Sequence, residues 1–134
     1  MSITVQKINP PTLPDAPAMG YSQISVCEPG KLVFISGQVA WQHDASAVPE
    51  DLQTQTEIAM TNVVHALDAV GATVENITAM RMYVVNPTEE DFGVAGAVLR
   101  SFFGDVIPTL TALGVSALYT QDLKIELEVT AVIS

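Results

Sequence analysis

Residues 124–133 alternate strictly between two kinds of side chain. Ile125, Leu127, Val129, Ala131 and Ile133 fall on one side, and Lys124, Glu126, Glu128, Thr130 and Val132 on the other. A period of two sustained this long calls for an extended strand with one buried face. That face must be core, while the other carries the carboxylates of Glu126 and Glu128 in an otherwise quiet strand. The rest of the chain has to supply the layer that covers the apolar face.

Two stretches do so by changing period. Over residues 52–70, Leu52, Ala59, Val63, Leu67 and Val70 fall close to one helical face, flanked by Met60 and Ala66. Glu50 and Asp51 suit the positive start of a helix, and Gly71 is a natural stop. Pro87-Thr88-Glu89-Glu90-Asp91 opens a second helix, with Thr88 as N-cap and Asp91 in the place of a capping-box acid. Phe92, Ala95, Leu99, Phe102 and Phe103 form its apolar stripe, and Gly104 ends it. Gly93 and Gly96 each cost such a helix roughly 1 kcal/mol against Ala. That cost points to close packing, or to a gap left for something else.

The remaining strands are shorter. Leu32-Val33-Phe34-Ile35-Ser36-Gly37-Gln38 is an apolar run that ends in Ser-Gly-Gln. Gly37 allows another backbone or a small ligand to approach, so Ser36 and Gly37 are either half of a binding site or simply the end of a core strand. Residues 23–26 alternate like a half-buried strand and, across Glu28-Pro29-Gly30-Lys31, look like the hairpin partner of that run. Residues 3–7 suit a short edge strand, and four prolines make residues 9–17 irregular. In residues 77–85, Ile77, Ala79, Arg81, Tyr83 and Val85 share one face and Thr78, Met80, Met82 and Val84 the other. Both faces are largely apolar, so both should be covered, and Arg81 then requires a carboxylate partner. Pro108 opens a last strand-like run over residues 110–118, interrupted by Gly114. The order β-β-β-α-β-α-β-β predicts a single α+β domain over residues 1–134, a six-stranded mixed sheet with two helices on one face.

Composition bounds the partners. Hydrophobic residues make up 49% of the 134 and charged residues 15%, below the usual quarter. Mean hydropathy is +0.35. So small a chain has too few charges to cover its surface, and some apolar surface is expected between subunits. The net charge is −10, and the basic residues Lys7, Lys31, Arg81, Arg100 and Lys124 are scattered singly. No basic patch exists to hold phosphates, so neither nucleic acid nor an anionic membrane is an expected partner. Cys27 is the only cysteine, which excludes an intrachain disulfide and suits a small residue at a strand end. The first seven residues lack a charged segment followed by an apolar one, and no window is apolar enough to span a bilayer, so a cytoplasmic protein is expected. His43 and His65 have no partner at ligand spacing, and His65 lies about 200° around the helix from Val63, towards solvent. Neither a metal, a phosphate loop nor a cofactor is expected.

Gly20-Tyr21-Ser22, Phe34-Ile35-Ser36-Gly37-Gln38, Gln53 and Gln55 with Asn62, Asp91-Phe92, Phe102-Phe103 and Ile125-Glu126-Leu127-Glu128 occur in an order that carries a resemblance. Over nearly its whole length the chain resembles the YjgF/RidA family. The resemblance implies a chorismate-mutase-like α+β fold and a homotrimer with small-molecule clefts between subunits. The activity it implies is hydrolysis of reactive enamines and imines, such as 2-aminoacrylate, to keto acids and ammonia. It makes Tyr21, Ser36 and Gly37 cleft residues that bind substrate, and Glu126 the catalytic group that orders a water near the imine carbon. In RidA-type members an arginine two residues after the late proline clamps the substrate carboxylate; here Pro108-Thr109 is followed by Leu110, which is expected to face the same pocket as Ser36 and Gly37. Gly96 stands where an asparagine is typical, and Ala112 where a cysteine is often found. In this the chain is more similar to the arginine-lacking branches of the YjgH kind. Loss of the clamp removes a charge-assisted contact worth roughly 1.5–3 kcal/mol, a tenfold to hundredfold weakening for a carboxylate. The implied ligand is then neutral, or anchored elsewhere. Two other readings stand beside the deaminase. One is a non-catalytic metabolite-binding trimer, with Glu126 a structural carboxylate paired with Arg81 or Lys124. The other is a ribonuclease or translation inhibitor, which the charge disfavours.

Overall fold

A computed structural model describes residues 4–134 of the chain. Its elements are β1 (Val5–Ile8), α1 (Ala16–Met19), β2 (Ile24–Cys27), β3 (Lys31–Gln38), α2 (Leu52–Ala69), a short 3-10 turn (Val74–Asn76), β4 (Ile77–Val85), α3 (Glu89–Phe103), β5 (Thr109–Val115) and β6 (Ile125–Ile133). Ile3, expected in the first strand, lies outside the described residues.

The alternating strand β6 is central. It pairs antiparallel with β3 on one side and β4 on the other, and β5 adds parallel to β4, giving the order β3-β6-β4-β5. Ile125, Leu127, Val129 and Ala131 are all buried and share one core with Met60, Val63 and Leu67 of α2 and Ala95 and Leu99 of α3. The α+β class, the six strands and the mixed sheet are as the sequence predicts, with both long helices packed on this apolar core. Hydrogen bonding divides the strands, however, since β1 and β2 form a separate antiparallel pair.

The expected hairpin of residues 23–26 with residues 32–38 does not form. β2 pairs with β1, and β3 with β6. Val33 and Ile35 stand opposite Ala131 and Val129, so pairing with β6 aligns the core-facing residues of both strands. No burial of that size is available from the four-residue β2. The opposite face of β3 is left uncovered in a single chain: Leu32 is 62% and Phe34 74% exposed.

In β4 the phase of Ile77 is corrected. Ile77 is buried in the core with Met80, Met82 and Val84, while Arg81 is exposed on the other face. A bulge between Ile77 and Ala79 in the pairing with β6 shifts the alternation by one residue. Lys7 serves this irregular point, its ammonium donating to the Ile77 carbonyl at 2.7 Å and lying 3.5 Å from Ser25 Oγ.

The helix ends follow local chemistry. Asp51 caps α2 by accepting from the Thr54 N–H at 2.8 Å. In α3 the Thr88 N–H donates to Asp91 Oδ2 at 3.0 Å and the Asp91 N–H to Thr88 Oγ1 at 3.1 Å, the capping box read from the sequence.

Candidate functional site

One group of candidate residues gathers where β3 meets β6. Ile35 pairs with Val129 and Gln38 with Leu127, so Ser36 and Gly37 together span a single step of β6. They form a bulge, the device by which strands re-aim side chains. Gly37 is required there by its neighbour. A Cβ built on it would lie 2.5 Å from Cδ and 2.9 Å from Cγ of Glu126, so the carboxylate occupies the space a side chain would need. Glu126 makes no hydrogen bond or ion pair to another described residue, and it keeps both oxygens free to accept. Asn62 holds the chain just past the bulge, donating from Nδ2 to the carbonyls of Val39 at 3.0 Å and Trp41 at 2.7 Å. Gln55, completely buried, does the same on the β6 side. Its Nε2 donates to the carbonyls of Pro49 and Asp122, and its Oε1 accepts from the Lys124 N–H, each at 2.8 Å. Two helix side chains thus fix both strands that meet at Glu126.

A second group lines a cleft of about 600 Å³ at the other edge of the sheet, bounded by residues 19–23, α3, β4 and β5. Tyr21 and Leu110 line it together with Met82, Phe92, Gly96 and Ala112. Tyr21 is set by the turn after α1, where Gly20 takes φ +93 and the Arg100 guanidinium lies against it, NH2 donating to the Pro17 carbonyl at 3.2 Å. Arg100 therefore has a structural task. Several cleft hydroxyls are spent on the fold: Ser22 Oγ donates to the Ile107 carbonyl and Thr109 Oγ1 to the Thr78 carbonyl, both at 2.6 Å. At Gly96 the reverse of Gly37 holds, since a Cβ there would meet nothing within 4 Å.

Within one chain the two groups do not meet. Leu110 packs against the core on the helix side of β5, whereas Ser36, Gly37 and Glu126 lie by β3, at the opposite edge of the β3-β6-β4-β5 sheet, and do not line the cleft. The expectation that Leu110 and Ser36–Gly37 face one pocket is not met by a single copy. Arg81 pairs with Glu128 and not with Glu126; the contact is long, 3.9 Å from NH1 to Oε1, and both side chains are about half exposed. The partner that the sequence demanded exists, but the pair is not buried. Tyr83 donates to the same Oε1 at 2.9 Å, and this hydrogen bond holds its phenol above the ordinary tyrosine range. Gly96 and Ala112, which depart from the family pattern, line the cleft, and Phe92, read from the sequence only as part of the apolar stripe of α3, lines it too. The helix-weakening Gly96 was the signal that pointed to them.

Among the described residues, no group of three or more His, Cys, Asp or Glu side chains stands close enough to hold a metal ion. No helix among them is long and apolar enough to cross a membrane.

The family model described as Endoribonuclease L-PSP matches residues 13–133. The chain belongs to the YjgF/RidA family. Among its YjgF/RidA relatives, the "Putative reactive intermediate deaminase TdcF" of Escherichia coli K12 is 31% identical over 106 residues, covering 77% of this chain and 80% of the relative. The crystal structure of E. coli TdcF with bound serine superposes with a TM-score of 0.71 at 30% identity, covering 80% of this chain and 84% of that one. The RutC family protein YjgH of E. coli K12 is 30% identical over 97 residues, or 72% of this chain and 73% of its own length. YyfB of Yersinia pestis, a Rid protein of unknown function, gives a TM-score of 0.90 at 30% identity, with 96% of this chain and 98% of that one covered. The YjgF fold is thereby assigned together with the family.

Proposed function

We propose that this YjgF/RidA protein is a homotrimer that hydrolyses small imines or enamines in clefts completed between subunits. The observation that carries this reading is the division of the site between opposite edges of one sheet. In a head-to-tail ring the β5 edge of one copy meets the β3–β6 region of the next, so Tyr21 and Leu110 join the neighbour's Ser36, Gly37 and Glu126. Covering Leu32 and Phe34 in the same contact adds about 1.5–3 kcal/mol for each fully buried side chain.

In the chemistry, the free carboxylate of Glu126 holds a water against the imine carbon and takes its proton as the water attacks. Ser36 and the backbone at Gly37 hydrogen-bond the substrate. The proton passes to nitrogen, the C–N bond breaks, and ammonia leaves a carbonyl product. No step requires a cofactor. Leu110 stands where RidA-type enzymes are expected to carry the carboxylate-clamping arginine, which gives this protein an altered substrate range. The name of TdcF supports the reaction class, and its serine complex shows that relative binding a small amino acid. The net charge of −10 with dispersed cations speaks against a ribonuclease. A cytoplasmic location is part of the same proposal.

The test is a coupled assay with 2-aminoacrylate generated in situ, run on wild type, Glu126→Gln and Leu110→Arg, with mass measured by light scattering. Ammonia release above background that falls in Glu126→Gln, from a particle of three chains, is the expected result. No acceleration by wild type or by Leu110→Arg, or a monomer at assay concentration, would end the proposal.

A further inference from the structure

The cleft beside α3 has a composition that selects its occupant. Its polar side chains are largely committed elsewhere: Ser22 and Thr109 to carbonyls, and Gln23, through Nε2, to the Pro14 carbonyl at 3.1 Å. Arg81 is the one cation among the lining residues, and its guanidinium lies by Glu128, whose strand neighbours Leu127 and Val129 point the other way, into the core. Apart from the Tyr21 and Thr111 side chains, what remains facing the space is mainly apolar, with Met80, Met82, Phe92, Leu99, Leu110 and Ala112. The open volume at Gly96 carries the cleft up to the backbone of α3. A carboxylate placed here would lose its water and meet no cation but Arg81, whose guanidinium already has Glu128 beside it.

We infer that this cleft takes the apolar group of a neutral imine, one derived from a primary amine and not from an amino acid. The recognition stands on the cleft alone; the reaction rests on the hydrolase reading above. The balance is R–CH=NH plus water to R–CHO plus ammonia. The C=N bond breaks, the carbonyl forms from the water oxygen, and both water protons end on nitrogen. Two-electron oxidation of an apolar primary amine is the class of reaction that supplies such a substrate. An aldehyde-consuming reaction must follow.

Two measurements on the intact protein test this. Calorimetric titration compares phenylacetamide with phenylacetate, which share a ring and differ in charge. The amide is expected to bind at least tenfold tighter. That preference should be lost in Gly96→Leu and Ala112→Phe, which fill the slot, and reversed in Leu110→Arg, with thermal unfolding confirming that each variant is folded. Rates then compare the imine of phenethylamine, made by a flavin amine oxidase, with the imine of phenylalanine, made by an amino-acid oxidase. Faster hydrolysis of the neutral imine supports the inference. Tighter phenylacetate binding, or faster hydrolysis of the carboxylated imine, overturns it and leaves the hydrolase reading standing. A preference for the amide with neither imine accelerated supports the cleft's selectivity and sinks the hydrolysis.

Discussion

The carboxylate of Glu126 rests on the Cα of Gly37, in the space that a Cβ on any other residue would fill. The pair forms one unit: the glycine is the floor and the acid is what stands on it. Gly37→Ala should therefore displace the acid. Overpacking of this kind costs about 1–3 kcal/mol. In a Glu126→Ala background the same alanine should cost less, giving a coupling of about 1 kcal/mol or more in a double-mutant cycle. Urea unfolding of the four proteins measures it, and additive costs would show that the two residues do not constrain each other.

Gln55→Leu should be among the most damaging single changes. Its side chain satisfies two carbonyls and one N–H from the two loops that flank Glu126. Leucine has similar bulk and no polar atoms, so those backbone groups lose their partners. At about 1–3 kcal/mol for each buried group left unpaired, a loss of about 3–5 kcal/mol is expected. It should appear as a lower urea midpoint at unchanged slope. A shift equivalent to less than about 1 kcal/mol would mean that water replaces the amide.

Tyr83 should ionise above the ordinary tyrosine range. Its hydrogen bond to Glu128 favours the neutral phenol, so its pKa is raised in the fold. A folded pKa above the unfolded one gives stability that is present below pH ~10 and is lost as pH rises through the folded value. The ultraviolet titration difference between wild type and Tyr83→Phe should show this phenol ionising above pH ~10, and Glu128→Gln should bring it down. A Tyr83 titration that Glu128→Gln leaves unmoved would refute the assignment.

Lys7 should act in the opposite sense. Burial lowers its pKa from 10.5 to about 8, partly opposed by the charge of Cys27. Between those values the unfolded chain holds a proton that the folded chain has released. Stability should therefore rise from about pH 8 towards 10.5, until the Tyr83 loss sets in. Lys7→Met should flatten that rise in unfolding curves taken at a series of pH values. An unchanged pH profile would show that Lys7 titrates as it does in water.

Local chemistry was legible in the sequence. The Thr88–Asp91 capping box, the Asp51 start of α2 and the alternation of β6 each depend on residues a few positions apart, and all stand where expected. What escaped depends on partners distant in the chain. The phase of Ile77 turns on a bulge set by its register with β6, and the pairing of β3 turns on which strand offers a matching buried face. Gly37 was recognised as a place of close approach. That the approaching group is Glu126, nearly ninety residues away, is a fact of β3–β6 pairing alone. The same holds for Leu110, whose separation from Ser36 follows from strand order.

The sheet order β3-β6-β4-β5 has a genetic consequence. On the proposed assembly each chain carries halves of two different clefts, so damage to Glu126 and damage around Leu110 spoil different clefts. Chains of Glu126→Gln and of a slot-filling variant, each inactive alone, would form mixed rings in which one cleft combines the two undamaged halves. Two broken genes expressed together should then complement each other. Their yield should depend on subunit exchange, and a single damaged copy in a heterozygous cell should poison fewer clefts than it enters.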